Sequence, residues 1–167
     1  MKRLKKTLRS FRAAGRGIVI CLCTEAHFRF HLAAVTLVML IAPFYELRAA
    51  DYAILLLTFA MVLSAEVVNT ALERVVDLNE PGYSQKVAVV KDLAAGAVLV
   101  CAVFAALIGA VFFLRPAGLQ ALLGWFAAAP WRLIPASVLA ALLIVFISPG
   151  PLSIYGRVKK LLRKRKD

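Results

Sequence analysis

Long apolar runs limit the fold of this chain more than any other feature of its sequence. Of its 167 residues 62% are hydrophobic, and the mean hydropathy is +0.83. A soluble domain averages about 45–50% apolar residues, so this excess is typical of an integral membrane protein. We predict an all-α integral membrane protein, and the length suits one compact helix bundle.

The apolar runs and their breaks predict one surface helix followed by four membrane-spanning helices. In residues 2–24 apolar side chains keep a helical spacing while basic side chains take the other side, as in a helix that lies in the headgroup layer. The predicted spans cover about residues 31–45, 52–72, 93–114 and 131–147. Between the spans we expect a polar loop at 78–90 and a less regular connector at 115–129.

This pattern divides the chain into two units. Residues 1–114 hold the surface helix and a core of three transmembrane helices. Residues 115–167 form a C-terminal extension with the fourth span and a basic tail. The extension is most simply an anchor, and binding of anionic lipid by its tail is the alternative.

Charge orients the predicted bundle. Of the 21 Lys and Arg residues, seven lie in 2–16 and seven in 157–166, and the net charge is +12. The positive-inside rule therefore places both termini and the 73–92 segment in the cytoplasm. A nucleic-acid partner is not expected, because these charges flank apolar helices instead of forming a recognition motif on a folded polar surface.

A polar stripe interrupts the second span. At about 100° per residue, one face of a helix would carry these side chains: Glu66, Asn69, Thr70, Glu73 and Asp77. Carboxylates within a membrane helix are costly, which favours a function over packing. The predicted cytoplasmic face also holds Glu25, Lys91 and Asp92.

The residue types in this set leave more than one chemistry open. Carboxylates near a lysine can hold Mg²⁺ together with substrate phosphates, and a further carboxylate can act as a general base on a hydroxyl. The same side chains could instead join helices in a non-catalytic oligomer, or form a proton or cation path in a small transporter. No phosphate-binding loop G-x-x-x-x-G-K-[ST] and no H-E-x-x-H motif occurs. An ion path should spread its acids through the bilayer depth, whereas these cluster at one interface.

Three segments carry a resemblance to a known family. The segment from Glu66 to Asp77, E-V-V-N-T-A-L-E-R-V-V-D, resembles the E-x-x-N-[ST]-A-[IL]-E-x-x-V-D signature of the small prokaryotic diacylglycerol kinases, which include undecaprenol kinases. Residues 90–99, V-K-D-L-A-A-G-A-V-L, are similar to the family's A-K-D-x-A-A-G-A-V-L segment. Residues 24–32, T-E-A-H-F-R-F-H-L, are similar to its T-E-x-N-[FM]-R-x-H-L.

The resemblance implies an ATP- and Mg²⁺-dependent lipid kinase of the bacterial inner membrane. Its substrate would be a lipid alcohol that arrives through the bilayer, either undecaprenol or diacylglycerol, with undecaprenol favoured by the sequence around His31. Family members have three spans plus a surface helix and work as homotrimers. Their composite sites lie at the cytoplasmic interface between neighbouring subunits.

The resemblance also implies roles for single residues. Glu66 would be the general base on the lipid hydroxyl, and Asn69 would orient that hydroxyl or the base. Glu25 and Glu73 would hold the metal that bridges the ATP phosphates. The remaining implied contacts are Lys91, Asp92, Tyr83 and Lys6 with the nucleotide, and Ala95 with the lipid. The loop around Tyr83 departs from the family, because it reads Gly-Tyr-Ser in place of Glu-Tyr-His.

Overall fold

Six α-helices make up the computed structural model, which describes residues 2–79 and 85–148. No strand occurs among these residues, so the predicted all-α class is confirmed. The helices have the following bounds: α1 Lys2–Thr24, α2 Ala26–Ile41, α3 Ala49–Asn79, α4 Gln85–Phe113, α5 Pro116–Ala127 and α6 Leu133–Ile147. Short 3₁₀ helices stand at Ala42–Tyr45 and Pro130–Arg132.

Four of the helical segments are long and apolar enough to cross a membrane. They are Ala26–Tyr45, Ala49–Leu78, Gln85–Phe113 and Pro130–Ile147. The first three begin before the sequence-based spans, because polar residues at the interface continue the helix beyond the apolar run, and the fourth agrees with the prediction. The predicted loop at 78–90 is correspondingly too long, since α3 reaches Asn79 and α4 begins at Gln85.

The prediction of a less regular connector at 115–129 is wrong, because most of this segment forms α5. Pro116 occupies the first turn, where its missing N–H costs nothing, and Arg115 before it is extended. Alanine and leucine, both strong helix formers, continue the helix. Gly118 allows α5 to approach Tyr45 so closely that an added methyl group would overlap the tyrosine ring.

In the bundle α3 packs against both α2 and α4, and α6 packs against α2. Leu55 and Val62 of α3 are buried, as are Phe28 and Ala33 of α2 and Ala94 of α4. Aromatic contacts close one end of the bundle, where the ring of Tyr45 meets that of Phe113 at 4.9 Å between centroids. The polar stripe lies at the other end.

Candidate active site

The stripe predicted on α3 is present, and its burial falls from one end to the other. Glu66 and Thr70 are each only 4% exposed, while Asn69 and Glu73 are half-buried and Asp77 is exposed. The hydroxyl of Thr70 donates to the backbone oxygen of Glu66 at 2.9 Å, which satisfies it within the helix. The stripe therefore runs from the protein interior towards water.

Glu66 meets a histidine from the neighbouring helix. Nε2 of His31 on α2 lies 3.2 Å from Oε1 of Glu66, and both side chains are largely buried. A buried carboxylate without a partner would be expensive, so this contact helps Glu66 remain inside the bundle. Nothing in the sequence alone indicated this pairing, because the contact of His31 with Glu66 follows from the packing of α2 on α3.

Asn69 and Glu73 form a second polar pair one turn along α3. The side-chain amide of Asn69 donates to Oε1 of Glu73 at 3.0 Å. Its carbonyl oxygen, Oδ1, is buried and has no hydrogen-bond partner among the described residues. Buried acceptors are normally satisfied, so an oxygen left free in this way is suited to a ligand.

Glu25 occupies the break between α1 and α2. Its backbone is extended, with φ −103° and ψ 114°, while the residues on either side are helical. Oε1 of Glu25 accepts a hydrogen bond from the hydroxyl of Thr24 at 2.6 Å. That hydroxyl in turn accepts one from Arg74 of α3 at 3.0 Å, so a chain of contacts joins Glu25 to the stripe helix.

These groups form one electrostatic cluster. His31 contacts Glu66 directly, and the side chains of His27, Glu25 and Glu73 act on the same carboxylate electrostatically from a greater distance. The structure therefore brings together the predicted base, its neighbour on the stripe and the carboxylate at the helix break. The remaining predicted residues are less closely grouped.

Lys91 pairs with Asp77 instead of an acid of the cluster. Nζ of Lys91 lies 2.6 Å from Oδ1 of Asp77, across the contact between α3 and α4. Asp92 and Ala95 are exposed on α4, and Lys6 is exposed on α1. Tyr83 lies outside the described residues.

Oxygen ligands of the kind that Mg²⁺ binds are available at the site. The donors are the carboxylates of Glu25 and Glu73 and the free Oδ1 of Asn69. Within residues 2–79 and 85–148, however, no three His, Cys, Asp or Glu side chains form a ready metal cluster. Oxygen groups of these types are the ligands that Mg²⁺ prefers, and the ion normally takes its remaining ligands from water or a bound phosphate.

An apolar cleft of about 300 Å³ opens beside His31. It lies among α2, α3 and α4, reaching Val38 on α2 and Gly109 on α4. From His31 to Val38 is about 10 Å along a helix. Apart from His31 its lining is apolar, so the cleft joins the polar cluster to the hydrocarbon region.

Sequence reasoning missed three side chains that the structure places at or beside this site. Thr24 and Arg74 support Glu25, and the buried guanidinium of Arg29 binds two backbone oxygens nearby. Thr24 and Arg29 belong to the motif at 24–32, which was the available signal. Nothing local singles out Arg74, because its partner lies 50 residues away.

Comparison with known proteins gives one family. The family model for prokaryotic diacylglycerol kinase matches residues 12–113. The undecaprenol kinase of Bacillus subtilis is 39% identical over 111 residues, which cover 66% of this chain and 90% of that protein. The diacylglycerol kinase of Synechocystis is 39% identical over 108 residues, which cover 64% of this chain and 62% of that protein.

Proposed function

The chain belongs to the prokaryotic diacylglycerol kinase family and is a membrane lipid kinase, and we propose undecaprenol as its substrate. The kinase family implies ATP as the co-substrate. The undecaprenol kinase supports this choice, because the matched region spans nearly all of that relative. Diacylglycerol is the second candidate, because the diacylglycerol kinase is equally identical over a similar length. The ion-path alternative receives no support from these relatives.

The observation that carries the proposal is that the buried carboxylate of Glu66 contacts His31, the polar residue in the lining of the apolar cleft. The cleft would take part of the lipid's hydrocarbon chain, and His31, which lines it, contacts Glu66. A lipid that entered sideways from the bilayer would therefore present its hydroxyl at the buried carboxylate. This is the geometry that a general base requires.

In the proposed reaction Glu66 accepts the proton of the lipid hydroxyl. His31 contacts Oε1 of the carboxylate. We therefore assign Oε2 of Glu66 as the atom that accepts the proton. The lipid oxygen bonds to the γ-phosphorus of ATP as the bond from that phosphorus to the β,γ-bridging oxygen breaks, and ADP leaves. Asn69 orients the hydroxyl, and the protein otherwise contributes positioning and charge, as is usual in phosphoryl transfer.

We assign the metal site to Glu25 and Glu73, with Oδ1 of Asn69 as a further oxygen nearby. Mg²⁺ bound there would neutralise charge on the ATP phosphates. The Thr24–Glu25 and Asn69–Glu73 hydrogen bonds support the assignment, because they give both carboxylates a partner within the protein before a ligand arrives. Pre-organised groups of this kind lose little entropy on binding.

The nucleotide contacts are assigned to Lys91, Asp92, Tyr83 and Lys6. In this assignment Lys91 exchanges Asp77 for a phosphate oxygen, because the pair is partly exposed and thus weakly held. Ala95 would contact the lipid.

We also propose a homotrimer in the bacterial inner membrane, with both termini and the site in the cytoplasm. The exposure of Asp92, Ala95 and Lys6 supports a composite site, because one chain alone leaves these side chains uncovered. The clustering of basic residues at both chain ends supports the orientation. Residues 1–114 would form the kinase unit, and residues 115–167 its extension.

Phosphate transfer to defined lipids tests the proposal. Purified full-length protein in mixed micelles receives labelled ATP with undecaprenol or diacylglycerol, with and without Mg²⁺. We expect Mg²⁺-dependent labelling of undecaprenol. If diacylglycerol is labelled too, its kcat/KM should be the lower of the two. A higher value for diacylglycerol would overturn the substrate assignment, and equal labelling without divalent metal would overturn the metal site.

A further inference from the structure

Arg29 is a buried cation whose charge is balanced in an unusual way. Its side chain is near the start of α2, and the residue is only 5% exposed. Among the described residues no carboxylate forms an ion pair with it. Its guanidinium instead donates to the backbone oxygens of Leu22 at 3.0 Å and Ile147 at 3.4 Å, while its buried Nε has no hydrogen-bond partner among the described residues.

Both acceptors lie at the carboxyl ends of helices. Leu22 is in the last turn of α1, and Ile147 is the last residue of α6. Each helix end carries about half a negative charge on its free carbonyl groups. The two ends together therefore offset about one positive charge, and α6 supplies one of them.

One face of α6 brings its end to this position. The half-buried residues on this helix recur at helical spacing, and the helix as a whole packs against α2. They are Ala136, Leu139, Leu143, Phe146 and Ile147. The opposite face is exposed and includes Leu142 and Val145. Because α6 runs with its carboxyl end beside the start of α2, docking of this face places Ile147 at Arg29.

Arg29 in turn spans the break at Glu25. Its backbone N–H donates to the oxygen of Glu25 at 3.3 Å, while its side chain reaches back to α1 at Leu22. The guanidinium thus ties the start of α2 to the last turn of α1 across the break. A movement at this joint would displace the carboxylate of Glu25.

We infer that α6 is a positioning element for the kinase site, acting through Arg29 on the joint between α1 and α2. Docked α6 supplies the second carbonyl acceptor, which holds Arg29 and thereby Glu25 in place. The structural part of this inference stands on the contacts of Arg29, and its effect on activity rests on the proposed role of Glu25. The C-terminal extension is then part of the working enzyme as well as an anchor.

Hydrogen exchange of the full-length protein in micelles tests the structural part without any turnover. The docking variant Leu143→Ala/Phe146→Ala weakens the packed face, and the control Leu142→Ala/Val145→Ala makes a similar change on the exposed face. We expect amides of residues 22–29 to exchange about tenfold faster in the docking variant, and at the wild-type rate in the control. Wild-type exchange of this segment in both variants would overturn the inference.

Kinetic coupling tests the route through Arg29. We expect the docking variant and Arg29→Met each to raise the Mg²⁺ concentration for half-maximal rate by about tenfold, with the lipid KM within about threefold. Combined, the changes should do no more than either alone, because both break the same connection. If the fold-changes of the docking variant and of Arg29→Met multiply in the combined protein, α6 acts by a route other than Arg29. That result would overturn the inference.

Two controls keep the outcomes distinct. If Arg29→Met does not fold, Arg29→Lys replaces it, since lysine keeps the charge but loses the planar fork that reaches two acceptors. Should the wild type phosphorylate no lipid, the proposed function fails while the exchange measurement still decides the structural inference. Unchanged Mg²⁺ dependence alongside faster exchange would overturn the link to Glu25.

Discussion

Replacing Glu66 by glutamine is the most informative single change at the proposed site. Glutamine has nearly the same shape, and its side chain can still form a hydrogen bond with His31. The change removes the charge and the capacity to accept the lipid proton. It therefore separates a role in catalysis from a role in packing.

The expected losses of stability and of rate for Glu66→Gln differ greatly in size. The contact between Nε2 of His31 and Oε1 of Glu66 is 3.2 Å, at the long end of hydrogen-bond distances. Weakening one such bond costs about 0.5–1.5 kcal/mol of stability. Loss of a general base lowers the rate by about 10²–10⁴-fold, equivalent to roughly 3–5.5 kcal/mol in the barrier. The loss of activity should thus far exceed any loss of stability.

The assay is the initial rate of phosphate transfer at saturating Mg²⁺ and ATP, with the lipid varied. For Glu66→Gln we expect kcat to fall by about 10²–10⁴-fold while the lipid KM stays within about threefold. The control is Glu46→Gln, the same chemical change at an exposed residue outside the polar cluster, which should keep the wild-type rate. Thermal unfolding and elution volume check the fold.

One result would refute the reasoning. A Glu66→Gln protein with kcat within about threefold of wild type would remove Glu66 as the base, because an amide cannot take the proton. A large loss of kcat with the elution profile of an unfolded or dissociated protein would instead assign Glu66 to packing.

Three further changes test neighbouring parts of the structure. Glu73→Gln should raise the Mg²⁺ requirement by at least about 10–100-fold, since loss of a group that merely supports a ligand already costs that much affinity. An unchanged requirement would exclude Glu73 as a ligand. Thr24→Val removes the hydroxyl that holds the adjacent carboxylate, so kcat/KM for ATP should fall about five- to tenfold. Thr24→Ser keeps a hydroxyl and should therefore keep the wild-type kcat/KM for ATP. Equal values for the valine and serine variants would contradict this role. Gly118→Ala should destabilise the protein by about 1–3 kcal/mol through overlap with Tyr45, whereas Gly124→Ala, which has open space, should not. Thermal unfolding in micelles measures both glycine variants.

The site could be predicted from sequence as far as helical spacing reaches. Glu66, Asn69 and Glu73 share a face because 3.6 residues per turn places them there in any α-helix. The structure confirms that spacing and adds a gradient of burial, with Glu66 inside and Asp77 in solvent. The roles of these residues remain predictions.

The fold was less predictable in the extension. Residues 115–129 look irregular because Pro116 and Gly118 are turn-forming residues in isolation. In the structure the proline starts α5 and the glycine packs against Tyr45. These roles of Pro116 and Gly118 cannot be predicted from the sequence unless it is known that α5 packs against Tyr45.

The sequence by itself determined the membrane class, the four spans and the polar stripe, because hydropathy and helical periodicity are properties of the local chain. Only the tertiary structure decided which side chains the stripe meets. His31 reaches Glu66 from another helix, and Arg29 reaches Ile147 across 118 residues. Such contacts depend on which helix faces pack together, and the surroundings of each residue along the chain do not specify that choice.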